Sequence, residues 1–235
     1  MNTIDCIKSR RSVRKFTEEK VPHEVLEQLV ELARWAPSWK NTQIARYVAV
    51  EDEALKNRIA EEATIPWNEG IIKGAPVLMV MTYVEKRCGY ERDGSFSTSK
   101  GDRWQNFDCG IAAATFELAA HELGLGSVVL GIFEEEKLRE LLELPEGMGV
   151  ACLLPLGYPG GGARRPQAQG SGGAADHQVK ISPLLPNGGG GFLFLAWREY
   201  GPRNGCEKGN FPLTSPVLPV IIIELFHRQQ ARIGV

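Results

Sequence analysis

The sequence lacks the residue patterns by which the commonest metal and catalytic sites are recognised. Its five cysteines (Cys6, Cys88, Cys109, Cys152 and Cys206) are odd in number and nowhere spaced as C-x-x-C, so neither a disulfide framework nor a zinc or iron-sulfur site is predicted. No H-E-x-x-H motif, Ser-His-Asp set or dinucleotide fingerprint G-x-G-x-x-G is recognisable. We therefore expect no metal site and no nucleophilic catalyst, and the scattered cysteines favour a reducing, cytoplasmic compartment.

Long apolar runs and an excess of basic residues are also missing. The first residues, "MNTIDCIKSRR", reach charge within a few positions and contain no apolar segment of the kind found in signal peptides. The run "PVLPVIIIELF" is too short, and too interrupted by proline, to cross a bilayer. A net charge of -2 argues against a general nucleic-acid binder. We expect neither a membrane nor a nucleic-acid partner.

The chain divides into two parts of different composition. Residues 1–159 alternate between periodic apolar segments, whereas residues 160–235 hold 14 of the 26 glycines and show no sustained periodicity. The first part is long enough to bury a core as one domain. The second part reads as a glycine- and proline-rich tail, either disordered or the product of a frameshift.

Helices and strands are predicted in alternation within residues 1–159. Helical spacing appears in "PHEVLEQLVELARWA", "DEALKNRIAEEA", "NFDCGIAAATFELAAHELGLG" and "EEEKLRELLEL", and strand composition in "RYVAVE", "APVLMVMTYV", "SVVLGIF" and "VACLLPLGY". The almost continuous apolar run of "APVLMVMTYV" indicates a strand covered on both faces. The third helix carries apolar residues along one side, namely Phe107, Ile111, Ala114, Leu118 and Ala119. Strands separated by helices predict a mixed or parallel sheet with helices packed on it.

Basic residues cluster in "SRRSVRKF", residues 9–16, directly after the amphipathic turn "TIDCIKS". Arginine presents a planar fork that matches phosphate oxygens, and serine adds a hydroxyl donor, so a phosphate monoester is a suitable ligand for this cluster. The alternative is a solvated helix end whose arginines pair with nearby glutamates such as Glu18, Glu19 and Glu24.

Two further stretches have ligand-binding composition. In "RWAPSWKNTQ", residues 34–43, the amides of Asn41 and Gln43 suit the donor and acceptor edge of a heterocycle, and Trp39 offers a surface for stacking. In "GLGSVVLGIF", residues 124–133, Gly131 permits close approach of the backbone to a ligand. Taken singly, the first stretch is equally an ordinary turn, and glycines after a helix are usually caps.

Together and in this order, these stretches resemble the nitroreductase family of flavin-dependent oxidoreductases. The likeness covers about residues 2–159 and rests on "IKSRRSVRKF", "LARWAPSWKNTQ", "APVLMVMTYV" and "FDCGIAAATFELAAHELGLGSVVLGIF". It implies an α+β fold of α/β type, in which helices flank a central mixed, mostly antiparallel sheet. It also implies an interlocked homodimer with FMN bound at the subunit interface.

The resemblance implies a set of FMN-binding residues. Arg10, Arg11 and Ser12 would hold the phosphate and ribityl side, and Arg14 would lie by the pyrimidine edge of the flavin. The partner subunit would contribute a second group, made of Pro37, Ser38, Trp39, Asn41 and Gln43. The backbone of Val129, Leu130 and Gly131 would approach the ring near its reactive nitrogen.

The implied activity is a ping-pong transfer of reducing equivalents from NADH or NADPH through FMN to a small organic acceptor such as a nitroaromatic or a quinone. We assign no catalytic side chain, because that chemistry needs none. Alternatives are a flavoprotein of the same fold that performs reductive dehalogenation or flavin breakdown, a flavin-storage protein, and a phosphate-ligand or RNA-binding module. Two departures from the family concern the pocket: Ile44 follows Gln43 where many members have proline, and Trp39 stands where small residues are frequent.

The tail departs from the family most. Members generally end soon after "LGYP" with an acidic, proline-containing strand and a basic pair that helps to hold the phosphate, whereas this chain has "GGGARRPQAQGSGGAADHQVK". Shifting the degenerate codons by one base turns the glycines into codons that include glutamate, and turns Gln167 and Gln169 into lysine or arginine. We therefore hypothesise a frameshift after about Pro159, with a genuine flexible tail as the alternative. Resequencing tests this, and an unbroken frame in several independent clones would contradict it.

Overall fold

The computed structural model describes residues 1–161 and, as backbone only, residues 220–222. The predicted division at residue 159 and the tail hypothesis concern residues that lie almost wholly outside this described part. No helix among the described residues is long and apolar enough to cross a membrane.

The described residues form helices on both sides of one sheet. The helices are α1 (Thr3–Ser9), α2 (His23–Ala33), α3 (Glu53–Ala63), α4 (Pro66–Lys73), α5 (Arg103–Glu122) and α6 (Glu135–Leu141). The strands are β1 (Ala45–Val50), β2 (Val77–Val84), β3 (Gly126–Ser127), β4 (Met148–Gly157) and β5 (Val220–Ile222). A 3₁₀ turn, Trp39–Asn41, lies between α2 and β1. Of these elements, α4 and β5 were not predicted.

The sheet has the strand order β3-β4-β2-β1-β5, and every neighbouring pair is antiparallel. Parallel pairing among the described residues is confined to an isolated bridge between Ser12 and Ser127. The expectation of a mixed, mostly antiparallel sheet is thus confirmed, and the parallel alternative is wrong. For β1 and β2, the reason lies in the segment that connects them. It contains two helices, α3 and α4, whereas a connection between parallel strands would normally contain one helix.

Strand β2 is buried on both faces, as its apolar run predicts. Val77, Met79 and Met81 belong to a core cluster shared with α2 and α5. Leu78 and Val80 point the other way, into a second cluster shared with α3, α4 and α6. Alternation along the strand produces this division, because successive side chains of a strand point to opposite faces.

The apolar side predicted for α5 is not the side that enters the core. Phe107 is 56% exposed, Ala114 is also exposed, and Ile111 and Leu118 are only partly buried. The core is contacted instead by another set on the same helix: Cys109, Ala112, Ala113, Phe116 and Ala120. Because α5 is apolar on more than one side, periodicity could not identify the core face, and an apolar strip remains on the surface of the chain.

The strand predicted in "SVVLGIF" is largely absent. Regular pairing with β4 is limited to Gly126 and Ser127, and beyond them Leu130 makes an isolated bridge to Leu153. The following segment therefore leaves the sheet, although its valines and leucine have strand composition.

Gly126 allows the basic segment to lie against β3. The Val13 N–H donates to the Ser127 carbonyl at 2.9 Å, and a Cβ placed on Gly126 would lie 2.6 to 2.9 Å from Val13 side-chain atoms. Such distances are too short for carbon atoms in contact.

We expect Gly126→Ala to lower the free energy of unfolding by about 1–3 kcal/mol, since an extra methyl group in a packed site forces its neighbours apart. Urea unfolding at fixed pH measures the effect. Gly70→Ala is the matched control, because no atom lies within 4 Å of a Cβ at that helical position. Equal stability of the two variants would contradict the packing described here.

Candidate functional site

The basic segment is fixed between the end of α1 and the sheet. Arg10 caps α1 through an N–H donated to the Cys6 carbonyl at 3.0 Å. Ser12 bridges to Ser127 of β3 in parallel orientation, and the Val13 N–H donates to the Ser127 carbonyl at 2.9 Å, so residues 12 and 13 lie beside Ser127. Further on, the Thr17 N–H donates to the Tyr158 carbonyl at 2.9 Å. Two of the three predicted stretches are thereby brought together.

The arginines of this segment keep most of their donors available. Arg10 Nη1 lies 3.4 Å from Glu117 Oε1 on α5. Arg11 Nη1 donates to the carbonyls of Lys8 and Arg10 at 2.7 and 2.6 Å, and Arg14 Nη1 donates to the Ser12 carbonyl at 3.4 Å. Each contact uses one nitrogen of a guanidinium that carries five N–H donors.

The ion pairs do not follow the solvated-helix alternative. Within residues 1–161, Glu117 is the carboxylate that pairs with residues 10–15, and Glu18, Glu19 and Glu24 do not pair with them. Arg10 is therefore paired with a long helix from elsewhere in the chain rather than with a glutamate close to it in the sequence.

Two titratable groups respond to this cluster. Burial raises the pKa of Glu117, and the Arg10 charge opposes that rise. The pKa of His121 is lowered by burial first and then by the charges of Arg10 and Arg11, while its Nε2 lies 2.7 Å from Ser9 Oγ. The potential at the end of α1 is thus positive, which suits an anion such as a phosphate.

The second stretch, residues 37–43, has an unusual backbone. Lys40, Asn41 and Gln43 have φ angles of 46°, 55° and 48°, in the left-handed region that residues other than glycine seldom adopt. The Gln43 N–H donates to Ser38 Oγ at 2.9 Å, and Gln43 Nε2 donates to Asn41 Oδ1 at 3.1 Å. Such conformations cluster at ligand sites, where the surrounding structure maintains them. Pro37 precedes them as an exposed residue.

A buried carboxylate that was not predicted holds this loop. The Trp39 N–H donates to both oxygens of Asp108, at 3.1 and 3.0 Å, and Thr42 Oγ1 lies 3.4 Å from Oδ2. Cys88 Sγ is 3.0 Å from the same oxygen. The available sequence signal was an acidic residue in the middle of the apolar helix pattern "FDCGIAAATF".

The Trp39 ring begins a short aromatic chain. It lies 6.2 Å from the Trp104 ring, which in turn meets Phe107 edge-on at 5.5 Å. The Lys40 ammonium sits 4.3 Å from the centre of the Trp39 ring and pairs with Glu91 at 2.8 Å. The indole is therefore already packed against its own chain, which limits its freedom to stack on a ligand.

In the third stretch, the backbone groups of Leu130 are occupied. Its N–H and carbonyl both pair with Leu153, at 2.9 and 3.0 Å. Because main-chain groups alternate in direction along an extended segment, those of Val129 and Gly131 point away from β4. Val129 is exposed, and no atom lies within 4 Å of a Cβ placed on Gly131. The backbone at Gly131 is therefore open on the surface of the chain.

Asn68 supports the same segment, although it was not among the predicted site residues. It is buried in α4, and its Nδ2 donates to the Ile132 carbonyl at 3.3 Å. A buried amide that bonds to the backbone of a loop fixes the position of that loop.

The loop of residues 37–43 is attached to α5 far from the basic segment. Asp108, which holds the loop, and Glu117, which holds Arg10, are nine residues apart on this helix. Nine residues correspond to about 14 Å along the axis and about half a turn around it, so the two carboxylates face opposite sides of α5. Within one chain, these contacts join the basic segment to Ser127, and the hydrogen bonds and ion pairs of the described residues link neither of them to the loop of residues 37–43.

Comparison with known proteins identifies the family. Residues 7–158 match the model of the nitroreductase family. The chain is 32% identical to the FMN reductase [NAD(P)H] of Bacillus subtilis over 166 residues, which is 66% of this chain and 65% of that protein. It is 29% identical to the iodotyrosine deiodinase of Thermotoga neapolitana, over 66% of this chain and 87% of that protein. The structure of an FMN-dependent nitroreductase from Clostridium difficile R20291 superimposes with a TM-score of 0.56 at 25% identity, over 77% and 99% of the two chains.

Proposed function

The chain belongs to the nitroreductase family, and on that basis we propose that it is an FMN-dependent NAD(P)H oxidoreductase. The observation that supports the proposal is the bridge between Ser12 and Ser127, which holds the arginine cluster next to the start of the segment that leads to Gly131. A phosphate site next to a space bordered by backbone groups suits a ligand with a phosphate at one end and a flat ring at the other.

The donor set fits FMN. The guanidinium groups of Arg10 and Arg11 and the Ser12 hydroxyl would hold the phosphate, and these groups are strong hydrogen-bond partners for its oxygens. Exposed Arg14 would lie near the ring edge that gains negative charge on reduction. Electrostatic stabilisation of a developing charge is the contribution that a fixed cation can make.

When bound, FMN supplies the redox chemistry, accepting hydride from NADH or NADPH and passing reducing equivalents to a small organic acceptor. The tasks left to the chain are binding, orientation and charge. Glu117 holds Arg10 in place, and Asn68 holds the segment that contains Gly131. Among the proposed site residues, none is assigned the role of a general acid or base.

A homodimer would complete the site. The loop of residues 37–43 and the basic segment attach to opposite sides of α5, so one flavin is more readily contacted by the loop of a second copy. The surface also carries an apolar strip on α5, including Phe107 and Ala114, and Ile4 and Ile7 of neighbouring α1 are both more than half exposed. Exposed apolar surface of this kind is typical of subunit interfaces.

Reductive dehalogenation is the second candidate, since the chain resembles an iodotyrosine deiodinase about as closely as it resembles a flavin reductase. The compound that reoxidises the reduced flavin distinguishes these two activities. Reoxidation of the reduced protein by a quinone or a nitroaromatic compound supports the oxidoreductase, whereas release of halide from a halogenated phenol supports the dehalogenase.

We expect Arg10→Ala to weaken FMN binding by about 10- to 100-fold, because a hydrogen bond to a charged group contributes about 1.5–3 kcal/mol. The flavin dissociation constant is measured by fluorescence titration of the apoprotein, with circular dichroism to verify the fold. Arg58→Ala is the matched control, since Arg58 is an exposed arginine paired with Glu62 on α3. Unchanged flavin content of Arg10→Ala after dialysis would refute the phosphate assignment, and a native chain that takes up no FMN would refute the function.

We expect Ala114→Glu to shift the protein from dimer to monomer, because the added carboxylate would have to be buried without a partner at the interface. Light scattering coupled to size-exclusion chromatography gives the mass. Gln28→Glu adds the same charge at an exposed position of α2 and should leave the mass unchanged. A monomeric native protein, or a dimer that tolerates Ala114→Glu, would contradict the proposed interface.

A further inference from the structure

Asp108 is a buried carboxylate without a cationic partner. Its residue exposure is 4%, and no ion pair joins it to a lysine or arginine of the described residues. A buried carboxylate is costly unless hydrogen bonds compensate for the water it has lost. Here the compensation comes from hydrogen bonds with two loops that pack on α5.

The first of these loops is the one proposed to contact FMN. The Trp39 N–H reaches both carboxylate oxygens, at 3.1 and 3.0 Å, and Thr42 Oγ1 reaches Oδ2 at 3.4 Å. These two anchors lie on either side of Lys40 and Asn41, whose φ angles are positive. Asp108 thus bonds to both ends of the most strained part of the loop.

The second loop contributes Cys88. Its Sγ lies 3.0 Å from Asp108 Oδ2, and burial, followed by the hydrogen bond to Asp108, raises the pKa of this thiol to about 12. At neutral pH the thiol is therefore protonated and acts as a donor. The oxygen that it shares with Thr42 and Trp39 therefore lies within 3.0 to 3.4 Å of three donors.

We propose that Asp108 is a positioning residue for flavin binding, which it serves by holding residues 39–42 in the conformation that presents Ser38, Asn41 and Gln43 to the ligand. The proposal rests on the proposed function, because it assumes that this loop contacts FMN. A carboxylate suits the task because its two oxygens accept several hydrogen bonds at once. Without it, the left-handed residues would relax, and FMN binding would have to restore their conformation at the expense of affinity.

The experiment compares Asp108→Asn with the native protein in the complete chain. Asparagine keeps the size of the side chain and one acceptor oxygen, but it turns a donor toward Thr42 or Cys88. We expect FMN affinity to fall by about tenfold or more, while kcat with saturating FMN recovers most of the native value. The visible circular dichroism of bound FMN should change, since that signal reports the geometry around the ring.

Asp52→Asn is the matched control. Asp52 accepts the Leu55 N–H at 2.7 Å as the N-cap of α3, so Asp52→Asn exchanges a charged acceptor for a neutral one outside the candidate site. Because asparagine is as good an N-cap as aspartate, we expect this control to change neither stability nor FMN affinity appreciably. If Asp108→Asn does not fold, Thr42→Val and Cys88→Ala are used in its place. Each of these variants removes one hydrogen-bond donor to Asp108 and leaves the carboxylate with its other partners.

The outcomes separate the two levels of inference. If the native protein binds no FMN, the proposed function fails and this proposal fails with it. If the native protein binds FMN and Asp108→Asn binds it as well as the native protein and Asp52→Asn do, losing thermal stability at most, Asp108 serves the fold alone and the positioning role is wrong. When the donor variants stand in for Asp108→Asn, native FMN affinity in both of them leads to the same conclusion, and weaker binding in either supports the positioning role.

Discussion

The candidate site depends on helix α5, and above all on the carboxylates that this helix carries on opposite sides. Glu117 pairs with Arg10, and Asp108 accepts hydrogen bonds from the loop that contains Trp39. Because α5 is one continuous helix, the two groups of predicted ligand-binding residues are held at a constant separation and face in different directions. Their separation within one chain is the reason for proposing that a second copy completes the site.

The hydrogen bonds to α5 explain why strained backbone is tolerated in the loop of residues 37–43. Three left-handed residues between positions 40 and 43 would be unfavourable in an isolated peptide. They are maintained by hydrogen bonds to Ser38 and to Asp108, and Asp108 is in turn retained in the core by these bonds. The loop and the buried carboxylate therefore stabilise each other, and neither is well explained without its partner.

Much of the fold was predictable because its periodic patterns are strong. The helices α2, α3, α5 and α6 and the strands β1, β2 and β4 lie where the apolar spacing indicates, and β2 is covered on both faces. The prediction was wrong about the extent of β3, because strand composition does not ensure that a partner strand is available. The side of α5 that enters the core was also missed, since an alanine-rich helix with apolar residues on several sides has no single preferred face.

The residue types along the chain set the chemistry of the candidate site: arginines and a serine in one cluster, amides in a second, and glycine at position 131. Their order along the chain was sufficient to identify the family. Which of these groups lie together depends on how the helices and strands pack, because the contacts that join Ser12 to Ser127 and Trp39 to Asp108 span more than sixty residues of chain. Local patterns report the preferences of neighbouring residues, whereas such contacts arise when helices and strands pack, and they brought Asp108 and Glu117 into a site that no short motif had assigned to them.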